Sequence, residues 1–165
     1  MGNIEVFPAM VARIANIPLG TQCVGVHRTY LSDCGQKAPG VARKVLGSIK
    51  GACIPLGAPV GGRIGVTEGI ETGLAVMQAT GLRCWAAVSA PGMRALLLPP
   101  TINEVVIFSE PDPAGASAAE AAAERWSAEG VKVRIAISPD GDANDVLMMN
   151  GKQAVRHMLS RAQVY

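Results

Sequence analysis

Along the chain, apolar residues come in short runs separated by glycine, proline and polar clusters, and the spacing of those runs changes near residue 62. Met10–Ile14 is a short apolar run. Asn16, Pro18 and Gly20 then mark a turn, and Cys23–Leu31 is rich in β-branched and aromatic residues. The pair predicts a β-hairpin. Ser32–Lys50 is polar, glycine-containing and basic, with Lys37, Arg43, Lys44 and Lys50 inside it. Arg43, Lys44 and Lys50 also read as solvated loop, and Ala52–Leu56 is one more apolar run. Gly57–Gly62 reads as a joint. The first expected unit is therefore a small β-rich segment over 1–62, followed by a second unit over 63–165.

From Arg63 strands alternate with helices. Ile64–Thr67 predicts a strand, and Ile70–Thr80 a helix that Gly81 stops. Cys84–Ser89 and Glu104–Ser109 are apolar, strand-like runs, with Pro91–Gly92 and Pro99–Pro100 breaking the chain between them. Ala114–Glu129 predicts a helix, with Pro113 at its first position and Gly130 past its end. Its stripe of Ala118, Ala122 and Trp126 has the spacing of a packed face. Val131–Ser138 alternates apolar and basic positions and predicts a half-exposed edge strand. Val146–Met149 and Lys152–Ala162 predict closing helices. Four strands with intervening helices imply an α/β fold, a mostly parallel sheet with helices on its faces.

Composition narrows the classes. The 165 residues are 49% hydrophobic and 17% charged, with net charge +2, so the chain has the makings of a core and no strong charge bias. No run of 18 apolar residues exists to span a membrane, and the first ten residues lack a signal-peptide pattern. The expected location is therefore cytoplasmic. Cys23, Cys34, Cys53 and Cys84 are scattered and read as free thiols. Aromatic residues are 4%, too few for a large base-stacking platform.

The acids carry the candidate chemistry. Glu68 follows the first strand of the second unit, Glu110 and Asp112 follow the third, and Asp140, Asp142 and Asp145 follow the last. In an open parallel sheet the carboxyl ends of the strands share one edge, where ligands bind. Carboxylates brought together there repel unless a cation lies between them, and oxygen donors without His or Cys favour Mg²⁺ or Mn²⁺. Each acid also has a structural reading. Asp112 before Pro113 suits an N-cap, Glu68 a solvated turn, Glu71 the helix dipole, and Asp140–Asp145 a capping turn. Neither common phosphate loop, G-x-G-x-x-G after the first strand or G-x-x-x-x-G-K-[ST], is present.

The ordered set resembles the Toprim domain of the primase and primase-helicase type found in phages, plasmids and integrated elements. Glu68-Gly69, then an acid-x-acid at 110–112 followed by Ala114-Gly115, then the acids at 140–145, carry that resemblance. TEGIETGLA at 67–75 and DANDVL at 142–147 are its closest phrases. HRTYL at 27–31, Gly35, Lys37, Arg43-Lys44 and Gly47 resemble the segment preceding Toprim in those proteins. The resemblance implies Glu68 as general acid or base, Glu110 and Asp112 as holders of Mg²⁺ or Mn²⁺, and Asp142 and Asp145 assisting. It implies small positions at Gly69 and Gly115, and DNA contacts from Arg28, Arg43, Lys44 and Arg94. A DNA template, nucleoside triphosphates and a replicative helicase are the implied partners. Primer synthesis is the implied reaction. A Toprim nuclease and a DNA- or helicase-recruiting module with weakened chemistry are the alternatives. A topoisomerase needs a nucleophilic tyrosine, and only Tyr30 and Tyr165 are present. His27, His157 and the basic loop residues also read as ordinary surface or hydrogen-bonded groups.

Two departures from the family pattern stand out. Glu110 replaces the usual first aspartate, moving a carboxylate outward by about 1.5 Å, one C–C bond. The zinc-binding segment that usually precedes this region, and the helicase that often follows, are missing from these residues, which implies a fragment or an excised domain.

Overall fold

The structure is a computed structural model that describes residues 6–40 and 43–165. The first five residues, which enter the reading of the N-terminus as lacking a leader, lie outside that description. Two sheets make up the fold. In the first, β1 (Ala9–Asn16), β2 (Gln22–Tyr30) and β3 (Arg43–Gly47) are antiparallel in the order β1-β2-β3. The expected hairpin is present, with a bulge between Ile14 and Ala15. The solvated-loop reading of Arg43 and Lys44 is corrected by β3. RKVLG is exposed at every position, so it carries no burial pattern of its own and becomes a strand by pairing with β2.

The second sheet has the order β4-β6-β5-β7-β8-β9. Its strands are β4 (Ile54–Pro55), β5 (Arg63–Thr67), β6 (Cys84–Ala86), β7 (Glu104–Ser109), β8 (Lys132–Ile137) and β9 (Gln163–Val164). The central four, β6, β5, β7 and β8, are parallel, and the short outer strands β4 and β9 run antiparallel to their neighbours. β8 was expected at an edge; β9 covers part of it, pairing at Arg134 and Ile135. Two residues of strand at the end of a helix carry too little pattern to read in advance.

Helices α1 (Ile70–Thr80) and α4 (Ala143–Ser160) cover one face, and α2 (Ala90–Ala95) and α3 (Pro113–Ala128) the other. The stripe Ala118, Ala122 and Trp126 is fully buried, which lets α3 lie close against Ile64, Val105 and Ile107. Trp126 Nε1 donates to the Leu96 carbonyl at 3.3 Å, so its one polar atom is satisfied within the core. The two closing helices form one element interrupted at Gly151, whose φ of 76° is not helical. Cys84–Ser89 is only partly strand: Ser89 caps α2, its Oγ accepting from the Gly92 N–H at 3.1 Å.

The two sheets share a core. Ile14 and Ala52 pack with Ile54, Ile70 and Ala86, and Met10 and Ala12 lie against them. Ala15 and Cys53 exchange backbone hydrogen bonds of 2.8 and 3.0 Å. The small sheet is thereby fixed over the start of α1, beside the carboxyl edge of the parallel strands. All four cysteines are free, and burial pushes the Cys53 and Cys84 thiols up to about 12. Among the described residues no helix is long and apolar enough to cross a membrane.

Candidate functional site

Glu68 follows β5 in a turn that the local sequence holds tightly. Thr67 Oγ1 donates to the Gly69 carbonyl at 2.8 Å. The N–H groups of Ala87 and Val88 donate to the carbonyls of Thr67 and Glu68, tying the turn to the end of β6. A Cβ at Gly73 would lie 2.6 Å from Leu56 Cδ1 and 3.0 Å from Thr67 Oγ1, so glycine lets α1 pack directly against this turn. The Glu68 carboxylate is half-buried, and the Ala90 N–H at the start of α2 favours its charged form. Burial and the nearby Asp112 charge nevertheless raise its pKa above the usual carboxylate range, with Arg43 opposing them.

Glu110 and Asp112 leave the end of β7. Asp112 caps α3: its Oδ1 accepts the N–H of Ala114 at 2.8 Å and of Gly115 at 2.9 Å. The second oxygen, Oδ2, is not used by the cap. A Cβ at Gly115 would sit 3.3 Å from it. Glu110 is also raised, first by burial, then by the charges of Glu68, Asp142 and Asp112, with Arg43 again opposing. Carboxylates from three separate strand ends thus feel one another.

Asp142 and Asp145 are held differently. Asp142 Oδ1 accepts the N–H of Asn144 at 2.7 Å and of Asp145 at 2.9 Å, while Oδ2 accepts the Thr72 hydroxyl at 2.8 Å. Asp145 Oδ2 returns to the Asp142 N–H at 3.1 Å, completing a capping box. The Thr72 bond joins two segments 70 residues apart, and its only advance signal was its place in TEGIET. It turns Asp142 toward the α1 side of the edge.

The small sheet contributes a cation. Arg43 lies near enough to favour the charged forms of Glu68, Glu71 and Glu110. Lys37 Nζ meets Glu71 Oε1 at 3.1 Å. Burial pushes Glu71 upward, but backbone hydrogen bonding, Lys37 and Arg43 outweigh it and hold its pKa below the usual range. Glu71 therefore does more than favour the helix dipole: it ties α1 to the segment ahead of β3. The other candidate cations lie elsewhere. Arg28 and Lys44 face each other across β2 and β3, one position out of phase with Thr29 and Arg43, and so occupy the opposite face. Arg94 donates to Ser117 Oγ on α3 at 2.9 Å. His27 is buried rather than at the surface, and its Nδ1 has no partner among the described residues.

The far edge of the sheet shows what paired acids look like. Glu104, at the start of β7, meets Arg134 at 2.8 Å and Arg63 at 3.2 Å. Among the described residues no ion pair engages Glu68, Glu110, Asp112 or Asp142. Nor do three or more His, Cys, Asp or Glu residues close around one point there as an all-protein metal cage. The donors that remain, Glu68, Glu110 and Asp112 Oδ2, are hard oxygens. Mg²⁺ is ordinarily held by one or two carboxylates, its retained waters and substrate phosphates, and this donor set fits that mode.

A parallel α/β sheet with repelling carboxylates at its carboxyl edge is the architecture of a Toprim domain. The Toprim domain family matches residues 63–153, more than half of the chain, and the protein belongs to that family. Residues 2–56 match a family described as a domain of unknown function (DUF7146). No curated protein matches the chain. Three solved structures show the shared fold. A DNA primase domain from Pseudomonas aeruginosa is 19% identical, with a TM-score of 0.60 over 88% of this chain and 49% of that one. The DnaG primase catalytic domain bound to ssDNA is 19% identical, with a TM-score of 0.67 over 94% of this chain and 51% of that one. The primase fragment of the bacteriophage T7 primase-helicase is 21% identical, with a TM-score of 0.66 over 94% of this chain and 64% of that one. The chain spans about half the length of the first two and under two thirds of the third.

Proposed function

We propose that this chain is the catalytic domain of a primase-like protein, and that it joins nucleoside triphosphates on a DNA template with the help of Mg²⁺ or Mn²⁺. What supports the reading is that Glu68, Glu110, Asp112 and Asp142 follow the carboxyl ends of parallel strands, and that neighbouring acid charges push Glu68 and Glu110 toward their neutral forms with Arg43 opposing. Glu110 and Asp112 Oδ2 would hold the metal, which would supply neutralisation of charge on the attacking and leaving oxygens. Glu68, half-buried and raised in pKa, accepts the proton of the attacking 3′-hydroxyl. As the new bond to the α-phosphorus forms, the bond to the β-phosphate oxygen breaks and pyrophosphate leaves. Arg43 offsets phosphate charge, and Arg94, which donates to Ser117 on α3, is a second candidate contact to the nucleic acid. Asp142 sets the local charge from a fixed orientation, and Asp145 keeps it there.

The DnaG neighbour is described as bound to ssDNA and the phage neighbour as part of a primase-helicase. By analogy, a DNA template and a replicative helicase are partners of this chain. The test combines calorimetry with an extension assay. Mn²⁺ is expected to bind the wild type and not Asp112→Asn. A labelled single-stranded template with nucleotides is expected to give extended products. Shortened template in place of products would assign cleavage instead. Unchanged metal binding in Asp112→Asn would overturn the site itself.

A further inference from the structure

Gly151 does more than interrupt α4. Its φ of 76° and ψ of 179° turn the chain, in a conformation that a side chain would strain. The helix therefore has two arms, 143–150 and 152–160. With the end of β8 and the start of β9 they enclose a hollow of about 420 Å³. That volume falls within the range of small-molecule sites, about 300–1,000 Å³. The ladder between β8 and β9 stops at Ile135, so the last residues of β8 border the hollow without a strand beside them, and Ile137 stays 58% exposed.

The lining is sorted by chemistry. Val146 and Met158, both buried, and Ile137 make one part apolar. Asn150 from the first arm, His157 and Arg161 from the second arm and its cap, and Gln163 from β9 make the other part polar. His157 and Arg161 are four residues apart and so share one helix face. No Asp or Glu lines the hollow, so no carboxylate there offsets Arg161. Among the described residues none of the four polar side chains takes part in a hydrogen bond or an ion pair, so the fold itself does not use them.

Each part has its match in a nucleotide. A guanidinium fork takes two phosphate oxygens at once, and an imidazole nitrogen adds a further donor. A side-chain amide presents a donor and an acceptor side by side, the pattern that pairs with adenine at N6 and N7. The apolar part suits the flat face of the base. A cationic ligand would instead meet Arg161, and a purely apolar one would leave the polar groups unpaired.

We propose that the hollow between the arms of α4 binds an adenine nucleoside monophosphate, with Arg161 and His157 on the phosphate and Asn150 and Gln163 at the edge of the base. None of the acids at the carboxyl edge lines it, so the site needs no metal and stands whether or not the proposed reaction does. The first arm begins at the Asp142 cap, so a molecule touching both arms also steadies the segment that carries Asp142.

The test is isothermal titration calorimetry of the full chain with AMP in EDTA, with adenosine as a second titrant. AMP is expected to fill one site with a Kd on the order of 10–100 μM, the reach of about 23 non-hydrogen atoms at ordinary ligand efficiency. Arg161→Gln should weaken AMP at least tenfold and leave the weaker binding of adenosine unchanged. Arg161→Lys should recover only part of the loss, because an ammonium lacks the fork. Asn150→Leu should weaken AMP and adenosine alike. Both positions are exposed, and circular dichroism checks that each variant folds. Asp112→Asn should bind AMP as the wild type does, which separates this site from the acidic edge. Binding that requires Mg²⁺, or that is lost in Asp112→Asn, would move the nucleotide to that edge and overturn the proposal. No binding at millimolar AMP, or equal affinity in Arg161→Gln and the wild type, would overturn it as well. So would displacement of AMP by a lower concentration of 5′-phosphorylated oligodeoxyadenylate, which would assign the hollow to the end of a strand.

Discussion

Replacing Glu110 by glutamine should stabilise the metal-free protein and weaken its response to metal. Glu110 is pushed toward its neutral form by burial and by Glu68, Asp142 and Asp112, with the Arg43 cation opposing them. Three repulsions against one attraction leave about two uncompensated pairs. The group is partly exposed to solvent, so each pair is screened to a few tenths of a kcal/mol, for a net of about 0.5–1 kcal/mol. In a chain of this size that corresponds to about 1–4 °C in melting temperature. The sign follows from linkage. A carboxyl whose folded pKa is raised binds its proton more tightly in the folded state, so its contribution is favourable at low pH and is lost as pH rises through that value.

Glu110→Gln should therefore melt above the wild type at pH 7 in EDTA and low salt, and the gap should close toward pH 4. Metal should reverse the order. A ligand at one hundred times its dissociation constant adds about 2.7 kcal/mol, or about 5–10 °C on the same scale, and the variant should lose at least half of it. Differential scanning fluorimetry over pH, salt and Mg²⁺ measures all of these. A variant no more stable than the wild type in EDTA would refute the crowding of carboxylates. An undiminished metal shift would remove Glu110 from the metal site.

Asp112 separates cap from ligand. Asp112→Ala should lower stability by about 1 kcal/mol through the lost cap, Asp112→Asn by only a few tenths, and both should abolish the metal-induced shift, as urea midpoints with and without Mg²⁺ would show. Thr72→Val removes the donor from Asp142 Oδ2 and should cost about 1.5–2 kcal/mol, with Thr72→Ser recovering most of it; equal urea midpoints for Val and Ser would refute the bond. A Cβ on Gly92 would collide with the Ala87 carbonyl oxygen, so Gly92→Ala must displace the start of α2 and the Ala90 N–H that favours the charged form of Glu68. Its expected cost is about 2 kcal/mol or more, with a shift in the carboxyl resonances of Glu68 by NMR.

Much of this molecule was legible because the relevant physics is local. Pro113 opening α3, Asp112 capping it, the buried run of β7 and the glycine stop after α1 follow from neighbouring residues. The acids after β5, β7 and β8 could be placed at one edge because parallel strands share their carboxyl end. What escaped was set by contacts distant in sequence. Two-residue β9 exists only through β8, exposed β3 only through β2, and the Thr72 bond only because α1 and α4 lie side by side.

The basic residues show most clearly why distance along the chain matters. Arg43 and Lys44 are adjacent, and composition treats them alike, yet a strand sends them to opposite faces. Which one meets the acids depends on register: with Thr29 across from Arg43, Arg43 joins the inward side that carries Gly25 and His27. A slip of one residue would exchange them, leaving Lys44 beside Glu68 and Arg43 outside. That slip is opposed at Gly25 and Gly47, which lie directly across from each other. A Cβ on Gly25 would come within 2.8 Å of the Leu46 carbonyl oxygen, and one on Gly47 within 2.4 Å of that of Val24, so a side chain shifted into either place would collide with backbone. Two glycines with no chemistry of their own therefore decide which cation acts on the carboxylates.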